Sequence, residues 1–483
     1  MTQKQLFGTD GIRGEANKHP ITVEMMLALG RALAHSVQKS DKKGLILIGK
    51  DTRASGCALE KAVAVGACSL GTDVCFLGPL PTPGVACLTQ ALKADAGVMI
   101  SASHNPYTDN GVKIFGADGF KLSDTQELEL EDLMLNPKFE SLKGKLLGKT
   151  SYLDDAIERY VAHLKSMSPR PPSRGPAYGK GTGSRVKPGM TADKSLQFDN
   201  TLSGLKVVLD CANGAAYKTA PELFKSLGAQ VAVIGDKPDG LNINREVGSL
   251  APQAARKKVL STNAQIAVVL DGDADRVVFI DETGEQVSGD AVLALIACYL
   301  KDKGQLAYDT LVCTEMSNLA LEKCLNSKGI QVLRAQVGDR YVVEQMRKGG
   351  FSFGGEESGH LIFTNHGTTG DGIAAALMVL AIMQESKKPL SELKQIFKPL
   401  PRAIENRLVP IKIPFEQLPL TSAMMREVER RLHPSGRSFI RYSGTEKKVR
   451  ILIEGEKQQE IVAIATKMAD LIQNEINSLS NFR

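Results

Sequence analysis

The chain has 483 residues, of which 42% are hydrophobic and 24% charged, with a formal net charge of +6. A chain of this length is too long for one hydrophobic core, so we expect three or four domains. Residues 168–200 hold six basic and two acidic side chains and the rest is nearly balanced, which argues against a nucleic-acid-binding protein. The most apolar run, residues 373–383, is too short to span a bilayer and predicts a buried helix.

The N-terminal residues and the cysteines bear on the cellular compartment. Residues 1–6 contain no apolar signal segment. The eight cysteines show no spacing typical of a zinc site or a disulfide framework. We therefore expect reduced thiols in a cytoplasmic protein.

Residues 168–200 form a segment of unusual composition, with five prolines and five glycines and almost no apolar periodicity. Such a segment buries too little surface to offset the entropy lost on ordering it. We predict a flexible linker between domains. A nucleic-acid-binding or membrane-binding role for this basic stretch is the alternative.

Short apolar runs on both sides of this segment predict an α/β organisation. Residues 45–48, 205–209 and 266–270 each end at small or acidic residues, as in units of strand, loop and helix. Ligands collect at the carboxyl ends of such strands. Residues 437–441 and 449–453 predict two strands joined by a short polar loop, and a helix is expected over about residues 458–477. This last part predicts a separate α+β domain.

The first loop that carries candidate catalytic groups is Ile-Ser-Ala-Ser-His-Asn-Pro at residues 100–106. Pro106 disfavours helix at the preceding residue, so the serines are expected on an irregular loop after a strand. Small residues let backbone amides approach an oxyanion, and His104 could move a proton. An ordinary turn explains the loop equally well, and this reasoning does not separate Ser101 from Ser103.

The second loop carries three carboxylates at alternate positions, Asp271, Asp273 and Asp275. Oxygen ligands of this kind suit a hard divalent cation, and without one the carboxylates would repel each other. An EF-hand is the competing interpretation, because Glu282 stands at its twelfth position. However, Arg276 replaces the required glycine and strands are expected on both sides. The sequence therefore predicts a cation site of another type.

Three further loops offer complementary groups. Residues 354–360 (Gly-Gly-Glu-Glu-Ser-Gly-His) could bind sugar hydroxyls, and residues 441–446 (Arg-Tyr-Ser-Gly-Thr-Glu) could bind a phosphate. Residues 7–14 present Arg13 among glycines. Each of these loops, taken alone, could be a plain surface loop or turn.

In this order, the motifs resemble the α-D-phosphohexomutase superfamily, over nearly the whole chain except residues 168–200. The bacterial phosphoglucosamine mutases are the most similar group, on residues 7–14, 337–341 (Val-Gly-Asp-Arg-Tyr) and 368–372 (Thr-Thr-Gly-Asp-Gly). The resemblance implies a four-domain architecture with three related α/β domains and a C-terminal α+β domain. The expected ranges are 1–166, a linker at 167–200, 201–287, 288–400 and 401–483.

The resemblance also implies roles for individual residues. It selects Ser103 as the phosphoserine required for activity, and one Mg²⁺ held by Asp271, Asp273, Asp275 and the phosphoserine oxygen. The positions implied near the transferred phosphoryl group or in proton transfer are His104, Lys113 and Arg276. The positions implied in binding the substrate are Arg13, Glu356, Ser358, Arg441, Ser443, Gly444 and Thr445.

The implied reaction interconverts glucosamine 6-phosphate and glucosamine 1-phosphate through a bisphosphate, and supplies UDP-N-acetylglucosamine for cell-wall synthesis. The expected partners are free hexose or hexosamine phosphates, without nucleic acid or membrane, and a homodimer is one expectation for the assembly. A phosphomannomutase/phosphoglucomutase, a serine-nucleophile metal-dependent phosphatase and a non-catalytic sugar-phosphate binder are the alternatives.

The chain departs from the pattern of phosphoglucosamine mutases at four positions. Ala274 stands where glycine is usual, and Glu357 where glutamine is typical. Tyr442 and Lys447 replace two prolines of the phosphate loop. The first change leaves the carboxylates in place, and the last two predict a less rigid, more cationic loop.

Overall fold

The computed structural model describes residues 4–8, 10–37, 43–137, 139, 147–167, 202–443 and 446–480. Residues 168–200 of the predicted linker lie outside these ranges, and so do Gly444 and Thr445 of the predicted phosphate loop. All eight cysteines are free, as expected. Across the described ranges, no helix is both long and apolar enough to cross a membrane.

The first unit is built on a six-stranded sheet with the strand order β1-β5-β4-β2-β3-β6. Strand β4 pairs parallel with β2 and antiparallel with β5, so the loop between β4 and β5 is a hairpin connection. The central strands are apolar on both faces because Ile46 and Ile48 enter one buried cluster and Leu47 another. The elements are β1 (Ile12–Glu15), α1 (Val23–Val37), β2 (Leu45–Lys50), α2 (Gly56–Ser69), β3 (Asp73–Pro79), α3 (Thr82–Ala91), β4 (Ala96–Ile100), β5 (Asp109–Gly116), α4 (Asp124–Leu135), β6 (Thr150–Tyr152) and α5 (Ala156–Ser166).

The second unit is built on a five-stranded sheet with the order β11-β10-β9-β7-β8. The strands predicted at 205–209 and 266–270 are confirmed as β7 and β9, which pair in parallel. The general strand–loop–helix pattern does not continue after the second of these runs. As expected for the loop at residues 271–275, the next element is a strand, the antiparallel β10. Its β-branched and aromatic residues favour a strand over a helix. The elements are β7 (Lys206–Asp210), α6 (Thr219–Ser226), β8 (Gln230–Ile234), α7 (Gln253–Thr262), β9 (Ile266–Leu270), β10 (Val277–Asp281) and β11 (Gln286–Val287).

The third unit has a four-stranded sheet with the order β13-β12-β14-β15. The buried helix predicted over residues 373–383 is confirmed within α11, whose N-cap Asp371 accepts a hydrogen bond from the Ala374 amide. Such a cap satisfies one of the free amides at the helix start. The elements are α8 (Gly289–Asp302), β12 (Thr310–Thr314), α9 (Leu319–Asn326), β13 (Gln331–Ala335), α10 (Asp339–Gly349), β14 (Phe353–Gly355), β15 (Leu361–Phe363), α11 (Gly372–Ser386) and α12 (Leu390–Leu393).

The fourth unit is an antiparallel three-stranded sheet, β16-β18-β17, packed against two helices. The two predicted strands and the C-terminal helix are confirmed as β17, β18 and α14. The elements are β16 (Arg402–Leu408), α13 (Pro419–Leu432), β17 (Arg437–Tyr442), β18 (Lys448–Glu454) and α14 (Gln458–Ser480).

The apolar cores decide how the units are held together. One buried cluster joins residues of the first three units, among them Leu47, Leu209 and Leu311. The fourth unit has its own apolar core. The loops that lie between the first three units are therefore fixed relative to one another by shared packing.

Candidate active site

The loop between β4 and β5, residues 101–106, carries the predicted phosphoserine. Ser103 is fully buried and has a left-handed backbone conformation, with φ of +54°. Such a conformation is strained for any residue with a Cβ atom, so neighbouring contacts must hold it. Ser103 Oγ donates a hydrogen bond of 2.6 Å to Asp271 Oδ2 in the second unit. The serine hydroxyl therefore faces the carboxylate loop.

The structure separates the two serines that the sequence left equivalent. Ser101 Oγ donates to Asp51 Oδ2 at 2.7 Å and accepts from the Ser103 amide at 2.9 Å. Its hydroxyl is thus engaged by residues of the first unit. Of the two serines, Ser103 is the one whose oxygen reaches a carboxylate of the predicted cation site.

The three predicted carboxylate ligands converge at the loop between β9 and β10. Asp271, Asp273 and Asp275 are buried, and one ligand atom of each lies within 4.8 Å of the others. Ala274 has a left-handed φ of +56°, which helps the chain to curl around the carboxylates. Glu282 does not take part, because its carboxylate accepts a hydrogen bond from the Ser391 amide at 3.4 Å. The EF-hand interpretation is therefore excluded.

Two buried oxygens of this loop, Asp273 Oδ1 and Asp275 Oδ1, accept no hydrogen bond from the described residues, although His360 Nδ1 lies 3.7 Å from the second. An unpaired buried carboxylate oxygen is costly, and a cation would remove that cost. Burial, together with the charges of Asp275 and Asp273, raises the pKa of Asp271 to about 8. Three convergent carboxylates with free oxygens are the donor set that a hard divalent cation such as Mg²⁺ prefers. The residues present fit the predicted cation.

Lys113 on β5 supplies the main counter-charge to this loop. Its Nζ lies 2.8 Å from Asp273 Oδ2, 2.7 Å from Asp275 Oδ2 and 3.2 Å from Asp10 Oδ2. Burial opposes the charge of this side chain, but the carboxylates of Asp10, Asp273 and Asp275 raise its pKa well above the usual value. All three N–H groups of the ammonium have a carboxylate neighbour. Lys113 is therefore a fixed positive charge.

His104 and two arginines complete the surroundings of the serine. An Arg276 N–H donates to His104 Nδ1 at 3.0 Å, and the same nitrogen lies 3.3 Å from Ser103 Oγ. Arg13 donates to the Ala102 carbonyl at 3.3 Å. Burial and the charges of Arg276 and Arg13 lower the pKa of His104 to about 4. The imidazole is neutral near pH 7.

A second ion-pair network joins this centre to the third unit. Lys121 Nζ bridges the carboxylates of Asp10 and Asp339. His360 Nε2 lies 3.3 Å from Asp339 Oδ2, and its Nδ1 lies 3.7 Å from Asp275 Oδ1. Asp10, Asp339 and His360 fall within motifs that the sequence singled out, although no role was assigned to them. Lys121 lies in no such motif. No signal in the sequence pointed to it, because its partners Asp10 and Asp339 come from distant parts of the chain.

The predicted sugar loop is the hairpin connection between β14 and β15. Glu356 is buried, and its carboxylate accepts hydrogen bonds of 3.2 Å from the Gly338 amide and from Ser358 Oγ. Burial by itself lowers the pKa of Arg276, but the charges of Asp275, Asp271 and Glu356 together raise it above its usual value. The structure thus brings the sugar loop to the same centre as the serine and carboxylate loops.

The predicted phosphate loop lies on the β17–β18 hairpin of the fourth unit. Arg441 is paired with Arg450 across the two strands, and burial together with the Arg450 charge lowers the pKa of Arg441. Lys412 Nζ donates to the Ser443 carbonyl at 2.6 Å. Three cations thus gather at this hairpin, as an anion-binding surface requires. No contact among the described residues joins Arg441 or Ser443 to the central cluster.

All four units match profiles of known domain families. Domains I, II and III of the phosphoglucomutase/phosphomannomutase α/β/α type match residues 4–141, 190–284 and 288–400. The C-terminal domain of the same type matches residues 379–471. The chain belongs to the phosphoglucomutase/phosphomannomutase family. As a member of this phosphohexomutase family it has the predicted fold class, three α/β domains followed by an α+β domain.

Curated relatives narrow the assignment of this phosphohexomutase. A phosphoglucosamine mutase from Syntrophotalea carbinolica is 46% identical over 477 residues, covering 98% of both chains. One from Anaeromyxobacter is 48% identical over 479 residues, covering 98% of this chain and 96% of the relative. The phosphohexomutase described here is therefore an isomerase of the phosphoglucosamine mutase group.

Solved structures share the fold of this phosphohexomutase. A family protein from Burkholderia thailandensis has a TM-score of 0.76 at 21% identity, with 97% of each chain covered. An Aspergillus fumigatus N-acetylphosphoglucosamine mutase in complex with GlcNAc-6P and magnesium has a TM-score of 0.64 at 18% identity, covering 98% of this chain and 96% of that one. At these identities the likeness extends to the fold.

Glu357 distinguishes the sugar loop of this phosphohexomutase from the usual pattern. Burial, with the charges of Asp290 and Glu356, raises its pKa from 4.5 to about 7. Because the folded-state pKa lies above the unfolded value, the protein loses stability as the pH rises from about 4.5 to about 7, where the unfolded chain ionises this carboxyl and the folded chain keeps it protonated. Above about pH 7 the loss is complete. Below pH 4.5 the group has no such effect.

Substituting Glu357→Gln should therefore stabilise the enzyme at pH 8.5, by about 1–3 kcal/mol, and change little at pH 5. The measurement is the thermal midpoint of parent and variant at both pH values. Glu344→Gln is the control, because Glu344 is a surface partner of Lys348 and is half exposed. Parallel pH dependence of parent and Glu357→Gln would contradict the prediction.

Proposed function

We propose that this enzyme interconverts glucosamine 6-phosphate and glucosamine 1-phosphate, with Ser103 as the phosphoryl carrier. The observation that carries the proposal is the 2.6 Å hydrogen bond from Ser103 Oγ to Asp271 Oδ2. It places the serine oxygen against the carboxylates that would hold a cation and among the cations that would face a phosphoryl group. The aminosugar follows from the named activity of the curated relatives.

Asp271, Asp273 and Asp275 would hold one Mg²⁺, with an oxygen of the phosphorylated serine as a further ligand. When bound, Mg²⁺ would neutralise negative charge on the phosphoryl group during transfer. The fixed charges of Lys113 and Arg276 act in the same direction. The buried Nε of Arg276 has no hydrogen-bond partner among the described residues, which leaves a donor for a phosphoryl oxygen.

The chemistry is two phosphoryl transfers at one centre. The bond from Ser103 Oγ to phosphorus breaks while a bond forms from phosphorus to the free sugar oxygen, which gives a bisphosphate. The proton of the sugar hydroxyl leaves that oxygen, and the serine oxygen gains a proton. The bisphosphate then turns over in the cleft and returns its other phosphate to Ser103 by the reverse of this step. A closed cleft would keep water from hydrolysing the phosphoserine.

The contacts favour different roles for the two candidate acid–base residues. Lys113 has a carboxylate at each of its three N–H groups and is held as a cation. His104 is neutral and lies 3.3 Å from Ser103 Oγ. We assign charge neutralisation to Lys113. We assign proton transfer at the serine oxygen to His104, whose Nδ1 would be released for it when the Arg276 donor turns to a phosphoryl oxygen.

The remaining loops would hold the sugar. Glu356 and Ser358 offer a carboxylate and a hydroxyl for the sugar hydroxyl and amino groups. Arg13 would face the reacting phosphate. Arg441 and Ser443 would grip the non-reacting phosphate, together with Gly444 and Thr445, which lie outside the described residues. The partners would be free sugar phosphates in the cytoplasm, and the product would feed UDP-N-acetylglucosamine synthesis for the cell wall.

The proposal is tested by coupled assays of the purified enzyme with the 1- and 6-phosphates of glucosamine, glucose and mannose. We expect kcat/KM to be highest for glucosamine phosphate. Absence of aminosugar turnover would overturn the choice of substrate in favour of a phosphomannomutase/phosphoglucomutase. Stoichiometric release of inorganic phosphate, without isomerisation, would indicate the phosphatase instead.

A further inference from the structure

Arg53 lies beneath the serine loop and binds it without reaching the serine hydroxyl. Its side chain is fully buried. Each of the five N–H donors of the guanidinium has an acceptor. Nε donates to Asp51 Oδ2 at 2.8 Å, and the terminal nitrogens donate to four backbone carbonyls, those of Ser103, Asn105, Pro106 and Asp109.

Asn244 makes the same kind of contact from the second unit. Its Nδ2 donates to the carbonyls of Ser103 at 2.9 Å and Asn105 at 3.0 Å. Each of these two carbonyls therefore accepts one hydrogen bond from the first unit and one from the second, which uses both of its lone pairs. Gly272 lies close by, since a Cβ atom there would be 2.4 Å from the Ser103 carbonyl oxygen.

The hydrogen bonds to these two carbonyls bear on the alignment of the Ser103 hydroxyl. Ser103 keeps a left-handed backbone, and its hydroxyl direction depends on that conformation. A carrier serine must align in turn with two different sugar oxygens, and a displacement of about 1 Å in such a centre can reduce the rate about 100-fold. Four hydrogen bonds on two carbonyls hold the Ser103–His104 and Asn105–Pro106 peptide planes, and so hold the backbone from which the Ser103 side chain projects toward Asp271.

We propose that Arg53 and Asn244 are positioning residues for Ser103, with Asn244 coupling the docking of the second unit to the alignment of the serine oxygen. The inference rests on the proposed function, in which Ser103 carries the phosphoryl group. Both side chains bind the carbonyl oxygen of Ser103 and neither donates a hydrogen bond to its hydroxyl oxygen, so neither is a catalytic residue. Both act through the backbone of residues 103–109.

The test uses Asn244→Asp in the full-length enzyme. The substitution keeps the size of the side chain and its tolerance of the left-handed conformation that Asn244 adopts, with φ of +58°, but replaces the N–H donors by an anionic acceptor. Asn242→Asp is the matched control in the same loop. Its Oδ1 accepts from the Asp239 amide, and no hydrogen bond joins the Asn242 side chain to the described residues of the serine loop.

We expect kcat of Asn244→Asp to fall about 10- to 100-fold per phosphorylated molecule, with KM within about twofold of the parent. Phosphate released per isomerisation should rise, because transfer to the sugar needs alignment more than hydrolysis does. Arg53→Lys, which keeps the charge but loses the fork of donors, should behave in the same way if it folds. Asn242→Asp should resemble the parent.

A kcat per phosphorylated molecule within about threefold of the parent would overturn the inference, and so would an effect confined to KM. The same holds if Asn244→Asp only lowers the fraction of folded, phosphorylated enzyme, since that is a purely structural role. Peptide mass mapping of the parent separates a failure of the proposed function from a failure of the positioning role. Absence of phosphate from Ser103 in the parent refutes the proposed function, whereas phosphorylated Ser103 with a normal Asn244→Asp enzyme refutes only the positioning role.

Discussion

Replacing Ser103 with alanine should reduce mutase turnover by about 10⁴-fold or more and abolish phosphorylation of the serine loop. Loss of a covalent carrier removes the whole pathway through it, so no graded effect is expected. The choice of Ser103 rests on its hydroxyl oxygen, which donates a hydrogen bond of 2.6 Å to Asp271. Intact-mass analysis with peptide mapping should find an added mass of about 80 Da on the parent and none on the variant.

Ser101→Ala is the matched control for this substitution. Ser101 Oγ is buried between Asp51 and the Ser103 amide, so its removal disturbs the loop but leaves the carrier oxygen in place. We expect reduced turnover with phosphate still on Ser103. A stable phosphate on residue 101, or anywhere else in the Ser103→Ala protein together with normal turnover, would contradict the assignment.

Asp273→Asn should raise the Mg²⁺ concentration needed for half-maximal activity by about 100-fold and lower kcat by several hundredfold, about 3–4 kcal/mol. Asp273 Oδ1 is buried and has no hydrogen-bond partner among the described residues, while Oδ2 accepts from Lys113 and from Thr82 Oγ1 at 2.6 Å. The amide keeps the shape of the side chain but removes the charge that a divalent cation needs.

A readout independent of activity is the thermal midpoint with Mg²⁺ and with a chelator. A cation present at about 100 times its dissociation constant adds about 2.7 kcal/mol to the stability of the folded state. The parent should therefore melt lower in chelator, and Asp273→Asn should melt alike in both. Asp210→Asn is the control. Among the described residues, this buried carboxylate at the end of β7 accepts hydrogen bonds from the amides of Ala212 and Gly248 and takes no part in the carboxylate loop. A Mg²⁺ shift in Asp273→Asn equal to that of the parent would exclude the carboxylate loop as the site.

The sequence predicted those parts of the molecule that are set by local chemistry. The apolar runs that became β2, β7 and β9, and the hairpin of the fourth unit, are short-range patterns of burial and turn residues. The convergence of Asp271, Asp273 and Asp275 was also predictable, because alternate carboxylates on a tight loop need no distant partner.

What the residues alone could not predict depends on contacts between distant segments. The choice of Ser103 over Ser101 follows from Asp51, which lies 50 residues earlier in the chain and binds the other hydroxyl. The network of Lys121 with Asp10 and Asp339 joins the first and third units in the same way. The residues predicted that strands flank the carboxylate loop, but the antiparallel pairing of β9 with β10 depends on hydrogen bonds between the two strands. Hydrophobic periodicity carries no information about which buried ions will meet.

The six-stranded sheet of the first unit is complete within residues 12–152, whereas Ser103 on one of its loops donates a hydrogen bond to the carboxylate of Asp271 in the second unit. On the ribosome, at about 5–20 residues per second, Asp271 follows Ser103 by roughly 10–30 seconds. During that interval the serine loop would lack both Asp271 and Asn244, and the ammonium of Lys113 would lack two of its three carboxylates. Until the second unit is made, the serine loop would therefore lack the carboxylates that neutralise most of the Lys113 charge, and docking of the second unit would supply them.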